Sequence, residues 1–360
     1  MISHLELFSG IGGFRQAIEL IGKDFSITTK CVGYSEIDKY AAITYKSNFN
    51  TCNETELKDI VDFTSDESRI KALDDFLFLT GGFPCQPFSM MGEQKGFNDH
   101  RGNVFYRIID ILNIKKPPFL LLENVKNLKT HNASKSFAEI NSALKKAGYN
   151  HIYFDIFNTS NFNLAQKRNR IFIFASRVKL PASFVFSEKS VIDNFQSLKG
   201  KVSILRQNTV LDVLEKDTDV KYYLSEKIKP TILANGSKNF VSNSEINQLI
   251  ARPLTATMVK MHRACQDNYY SEEFLNSNNP ITYNTSRYSK VELASQPIRK
   301  LTPKEAFNLQ GFNDSFHKNA RDAGISDHQL YKQAGNAVSV NTVYAILHYL
   351  IIKNKILGLL

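Results

Sequence analysis

The chain has 360 residues, 42% of them hydrophobic, and Lys and Arg outnumber Asp and Glu to leave a net charge of +10. That length fits about two domains with real cores and excludes a small stapled scaffold or a disordered tail. The four cysteines (Cys31, Cys52, Cys85 and Cys265) form no Cys-x-x-Cys pair, so they read as reduced thiols of a cytosolic protein and not as zinc ligands. The basic surplus favours a polyanionic partner. No secretory signal is evident at residues 1–8, and the apolar tail 338–352, interrupted by Asn341 and His348, is too short for a membrane span and reads as a buried helix.

The first predicted element is a strand at 5–8 running into Ser9-Gly10-Ile11-Gly12-Gly13. Behind it Phe14, Ala17, Ile18 and Ile21 share one helix face. Strand, glycine turn and helix begin a nucleotide-binding unit in which backbone amides approach a ligand; a tight turn with no ligand reads equally from the cluster alone. A second strand, 30–35, ends at Glu36, where a carboxylate can accept ribose hydroxyls, and Asp38 reads as the cap of the next helix. Asp59, before Ile60, is by itself an ordinary loop acid.

The run 76–79 is apolar enough for a buried strand. It breaks into Thr80-Gly81-Gly82-Phe83-Pro84-Cys85-Gln86-Pro87-Phe88-Ser89, a thiol held between prolines on a stiff turn at the strand end. A reactive group and a rigid turn with an incidental cysteine are both compatible with it. Residues 90–102 are glycine-rich and polar, and read as a mobile lid or a connection. A helix with Phe105, Ile108, Ile109 and Leu112 on one face stops at Pro117-Pro118, and a strand, 119–122, ends at Glu123-Asn124. That puts a carboxylate suited to proton transfer, or a plain surface glutamate, at the same sheet edge as Cys85. Further on, a helix at 134–147 and a strand at 151–157 lead to Gln166-Lys167-Arg168-Asn169-Arg170 before the strand 171–175. Period 2 predicts that both arginines point to one side.

From about Pro181 the βα alternation disappears. Residues 251–263, with Tyr269 and Tyr270 nearby, carry amides and guanidinium groups that suit base edges and phosphates, or a solvated basic loop. Thr302 reads as a cap with Pro303 at the first helical position, and Tyr331 to Val338 leads into the final apolar helix.

Phe8-Ser9-Gly10-Ile11-Gly12-Gly13, Pro84-Cys85-Gln86, Glu123-Asn124-Val125, Gln166-x-Arg168-x-Arg170 and Gly335-Asn336, in that order, resemble the DNA cytosine carbon-5 methyltransferases, bacterial restriction-modification enzymes in particular. The resemblance implies a class I S-adenosylmethionine-dependent methyltransferase fold, α/β and Rossmann-like with a mostly parallel sheet. Residues 1–180 plus 330–360 would form the catalytic and cofactor-binding domain, and 181–329 a smaller, irregular target-recognition domain. It further implies methyl transfer from S-adenosyl-L-methionine to carbon 5 of a flipped-out cytosine in a specific double-stranded DNA sequence. Cys85 would be the nucleophile, Glu123 the acid holding the cytosine, and Arg168 and Arg170 the active-site arginines. Phe8, Gly10, Gly12, Gly13, Glu36, Asp59, Ile60, Pro84 and Asn336 would bind cofactor. Ser89, Gln94, Lys95 and Arg101 of the lid, with Arg252, Thr255, Lys260 and Arg263, would bind DNA. Ile37 departs from the aromatic that many relatives carry there, and Pro253-Leu254-Thr255 from the usual Thr-Leu order. The setting implied is cytoplasmic and nucleoid-associated, with no membrane and no metal, as a monomer on DNA paired functionally with a restriction endonuclease. An RNA methyltransferase of the same fold, a silent DNA-binding regulator and a nicotinamide dehydrogenase are the rival readings.

Overall fold

A computed structural model of the chain describes residues 1–84, 104–129, 135–198, 202–237, 240–258, 260, 262–283 and 285–360. The chain divides into two compact units, one of residues 1–158, 169–204 and 338–360, the other of residues 159–168 and 205–337.

In the first unit the elements alternate: β1 (Ile2–Leu7), α1 (Gly13–Phe25), β2 (Thr29–Tyr34), α2 (Lys39–Asn48), β3 (Thr55–Glu56), α3 (Ile60–Thr64), α4 (Glu67–Ala72), β4 (Phe78–Gly82), α5 (Val104–Lys115), β5 (Phe119–Val125), α6 (Lys135–Lys146), β6 (His151–Asn158), β7 (Asn169–Ser176) and α7 (Glu188–Gln196). The seven strands form one sheet in the order β3-β2-β1-β4-β5-β7-β6. The first five strands run parallel, and β7 is antiparallel to both β5 and β6. The geometry follows from the connections. A parallel neighbour needs a helical crossover, whereas the short link 159–168 carries only a single 3₁₀ turn and returns the chain antiparallel.

Helices cover both faces, so β1 is buried along its whole length, as strands of doubly covered sheets are. On one face Leu5, Leu79, Leu120 and Ile171 share a core with Ile108 and Leu112 of α5 and Ile140 and Leu144 of α6. On α1 the predicted stripe Phe14, Ala17, Ile18 and Ile21 is buried, and the helix Val340–Leu347 packs beside it. By length and composition, residues 327–353 could cross a membrane. The chain leaves helical geometry at 337–339, however, and most of the run is buried, as in a core helix.

The unit boundaries differ from the expected ones at three places. Residues 181–204 stay with the sheet because Phe184 and Phe186 pack edge-on or tilted against Tyr153, Phe157 and Phe174 at ring separations of 5.0–5.8 Å. The link 159–168 belongs to the second unit because the Ala251 amide donates to the Ala165 carbonyl (2.7 Å) and the Lys167 amide to that of Ala251 (2.9 Å). The helix Asp327–Asn336 also joins the second unit, where Gln310 donates to the Ala334 carbonyl at 2.6 Å.

The second unit is built of short helices, two small antiparallel ladders and a core of Leu224, Ile232, Ile246, Tyr269, Leu293 and Ile298. Its rigid knot is a fully buried ion pair, Arg299–Glu305 (2.7 Å). Glu305 also completes the capping box with Thr302 at the start of the helix Pro303–Leu309.

Candidate active site

The carboxyl ends of the parallel strands carry the sequence-predicted groups of the first unit. β1 ends in a loop whose backbone is bent three times into the left-handed region, at Phe8 (φ 52°), Gly10 (φ 55°) and Gly12 (φ 89°). Phe8 tolerates it because its amide donates to Ser35 Oγ (3.0 Å) while the Ser9 amide donates to the Ser35 carbonyl (2.8 Å). Glu36, at the end of β2, accepts from the Gly10 amide through Oε2 and from the Asp38 amide through Oε1, each at 2.7 Å. Partial burial pushes its carboxyl above the usual range.

The three loop glycines do different things. A Cβ at Gly10 would meet nothing within 4 Å, leaving that backbone open to a ligand. A Cβ at Gly12 would stand 2.3 Å from the Phe49 ring, and one at Gly13 would stand 2.8 Å from the Val338 carbonyl. Gly12 and Gly13 are therefore demanded by packing inside the protein. Ser9 Oγ is buried with no hydrogen-bond partner among the described residues, and Ile37 beside Glu36 is 77% exposed. An open glycine amide turn, an orphaned hydroxyl, a carboxylate with lone pairs to spare and an exposed apolar side chain fit a ligand that joins a ribose to a polar tail. Asp38 caps α2 as expected. Asp59 caps α3, its Oδ1 accepting the Val61 amide at 2.8 Å, and Ile60 lies in the core.

On the other side of β4 stand Glu123 and Arg170. Glu123 lies inside β5, which runs three residues past the expected strand 119–122 because β7 continues the ladder to the pair Val125–Arg170. Glu123 is directly opposite Phe172, so Arg170, two residues back along β7, shares its face on the diagonal. The result is an ion pair, Arg170 Nε to Glu123 Oε1, at 2.9 Å, with both side chains mostly buried. A Cβ at Gly82 would come within 3.2 Å of Glu123 Oε2, so glycine there leaves the carboxylate its room. Asn124 points to the opposite face and donates to the Phe83 carbonyl (2.8 Å), which ties down the backbone just before Pro84. Pro84 is exposed. Cys85, Ser89, Gln94, Lys95, Arg101 and the rest of the expected lid lie outside the described residues.

Arg168 corrects an expectation. The strand begins only at Asn169, so period 2 does not extend to it. Its guanidinium, in a residue 2% exposed, donates to the carbonyls of Leu254 (2.7 Å), Gly335 (3.0 Å) and Ala337 (3.1 Å) within the second unit. Gln166 works beside it, accepting the Leu254 amide and donating to the Leu309 carbonyl, both at 2.9 Å. Both terminal nitrogens of this fork are committed to main-chain oxygens, the geometry of a structural clamp. Gly335 is there for close approach, since a Cβ would stand 2.2 Å from the Thr255 carbonyl carbon; Asn336, next to it, is exposed.

Among the expected target readers, Arg252 is tied inward through Nε to the Ala264 carbonyl (3.0 Å), with Glu245 3.7 Å from its Nη2. Thr255 and Lys260 are exposed and Arg263 is half-buried. Tyr269 and Tyr270 are core residues and read nothing. Asp267, which sequence reasoning passed over, is buried with His262 Nδ1 3.6 Å away, and burial pushes its carboxyl up to about 7. The folded chain therefore retains a proton that the unfolded chain releases near pH 4, so stability falls as pH rises from about 4 to 7. Asp267→Asn is expected to remove that slope and to be more stable than the parent at pH 8, by roughly 2–4 kcal/mol; urea unfolding at pH 5 and pH 8 checks it.

Comparison with known proteins adds the following. Residues 2–351 match a family model described as C-5 cytosine-specific DNA methylase. The type II methyltransferase M1.ScrFI of Lactococcus lactis subsp. cremoris is 34% identical, over 95% of this chain and 76% of that protein. M.HgiCI of Herpetosiphon aurantiacus, also a type II methyltransferase, is 31% identical over 96% of this chain and 97% of its own length. Among solved structures, the Dnmt2 methyltransferase of S. pombe superposes with a TM-score of 0.71 at 19% identity, covering 98% of this chain and 99% of that one.

Proposed function

Because the chain belongs to the C-5 cytosine-specific DNA methylase family and is a DNA (cytosine-5-)-methyltransferase, we propose that it methylates carbon 5 of a flipped-out cytosine in one duplex sequence through a covalent Cys85 adduct. The observation that carries this reading is the Glu123–Arg170 pair at the strand end beside Gly82-Phe83-Pro84, one residue short of the thiol. The cofactor of the reading is S-adenosylmethionine, held by the Gly10 turn, Ser9, Phe8 and Glu36, with Ile37 against its apolar part.

Carbon 5 of cytosine is a poor nucleophile. The Cys85 thiolate forms a bond to carbon 6, and the displaced electron pair makes carbon 5 nucleophilic. Glu123 holds ring nitrogen 3 and supplies its proton, while Arg170 orients Glu123 and offers donors to the ring oxygen. S-adenosylmethionine held there would supply carbon 5 with an electrophilic methyl group on a sulfonium, whose leaving group would be a neutral thioether. Loss of the carbon 5 proton to a base then breaks the carbon–sulfur bond, frees Cys85 as its thiolate and returns the nitrogen 3 proton to Glu123. None of these groups reaches a stacked base, so the target leaves the duplex at a cost of a few kcal/mol, which pocket contacts offset. In the cell this reading makes the protein the cytoplasmic, nucleoid-associated partner of a restriction endonuclease, protecting host DNA as a monomer.

The test is trapping on duplex carrying 5-fluorocytosine, since fluorine cannot leave as the proton does. A stable protein–DNA adduct that forms with the parent and is absent in Cys85→Ser is expected, with labelled methyl entering ordinary duplex. Label entering tRNA alone, or turnover by Cys85→Ser, would overturn the reading.

A further inference from the structure

Behind the glycine loop, on the side away from the open Gly10 turn, the first unit buries a set of charges that the reaction does not use. Glu6, between Leu5 and Leu7 on β1, is fully buried. Its Oε1 accepts the Arg15 amide (3.4 Å) and its Oε2 the Tyr45 hydroxyl (3.3 Å). Burial pushes the Glu6 carboxyl up to about 8, against the opposing pull of the Arg15 guanidinium. Arg15 in turn donates to Glu19 (2.9 Å), Glu54 (2.7 Å), the Tyr45 hydroxyl (3.2 Å) and the Asn50 carbonyl (3.1 Å). Its guanidinium lies 4.4 Å from the Phe49 ring centre, and it is the Phe49 ring that Gly12 abuts.

The arrangement answers a problem set by the loop itself. The N-cap of α1 is a glycine, Gly12, in the left-handed conformation with no side chain to cap the helix. First-turn amides left without an acceptor cost stability and let the turn fray. Glu6 supplies the missing acceptor from another element, and Arg15 with Tyr45 holds both Glu6 and the Phe49 wall behind Gly12. We propose that Glu6, Arg15 and Tyr45 form a buried brace that fixes the backbone of residues 8–13 and thereby sets the affinity for S-adenosylmethionine. They are positioning residues, since all three are buried within the protein, and the inference rests on the cofactor reading above.

Two substitutions test it in the full-length protein. Glu6→Gln keeps the shape and removes the double acceptor; Tyr45→Phe removes one hydroxyl and keeps the ring stacked on Tyr34 (4.3 Å). S-adenosylhomocysteine is the probe for titration calorimetry, because it binds without reacting. Losing one such hydrogen bond predicts a Kd about tenfold weaker for Glu6→Gln and about threefold weaker for Tyr45→Phe. The KM for S-adenosylmethionine should rise in parallel, with kcat and the Kd for duplex DNA changed by less than about twofold. If Glu6→Gln does not fold, Tyr45→Phe decides alone. A parent protein that binds S-adenosylhomocysteine while folded variants bind it equally well overturns the brace and leaves the cofactor reading standing. A parent that binds none overturns both.

Discussion

Glu123→Gln is expected to lower kcat for methyl transfer into duplex DNA by about two to four orders of magnitude, with KM for the cofactor hardly moved. The expected size is that of a lost general acid. Glutamine keeps the volume and one acceptor beside Arg170, whose Nε now stands 2.9 Å from Glu123 Oε1, so the fold survives. It cannot deliver a proton to ring nitrogen 3, so the ring is not relieved of the electron pair arriving from the thiol. Single-turnover kinetics with labelled cofactor is the measurement. A variant within about tenfold of the parent would remove Glu123 from the chemistry. Arg170→Met should follow Glu123→Gln in activity and not in stability.

Arg168→Met behaves in the opposite way. Methionine matches the unbranched stem of arginine but has no guanidinium, so the carbonyls of Leu254, Gly335 and Ala337 lose their shared partner in a buried place. A buried polar group left unsatisfied costs roughly 1–3 kcal/mol. Three coupled ones cost on the order of 3–5 kcal/mol in total, at the severe end for single substitutions. In a chain of this size that lowers the melting temperature by about 10 °C. Thermal unfolding monitored beside activity separates the two arginines: Arg168→Met loses stability first, Arg170→Met activity first. A stable but inactive Arg168→Met would return that residue to the catalytic group.

The contrast between these arginines shows where residue patterns stop being informative. Two arginines at positions n and n+2 before an apolar strand read as one face, and only the place where β7 begins decides that Arg170 is in the ladder and Arg168 before it. The glycine cluster has the same limit. All three glycines of the loop invite the same reading, a backbone opened to a ligand, yet Gly12 and Gly13 are required by the Phe49 ring and the Val338 carbonyl, groups 37 and 325 residues further along the chain. Tyr269 and Tyr270 sit among basic residues and still go into the core, because amphipathic rings serve core and surface alike.

What sequence alone determined was the βα alternation, the buried strand runs, the capping residues Asp38 and Thr302, and the glycine turn and Glu123 at strand ends. These depend on neighbours within a few positions, where hydrophobic period and turn chemistry act. Tertiary structure decided that Glu123 faces Arg170, that Arg168 is a clamp on three carbonyls, that Glu6 is a buried acceptor behind the loop, and that the link 159–168 joins the second unit. Each is a pairing between residues distant along the chain. A side chain's chemistry says what it can bond to, and only the folded backbone says what stands within reach.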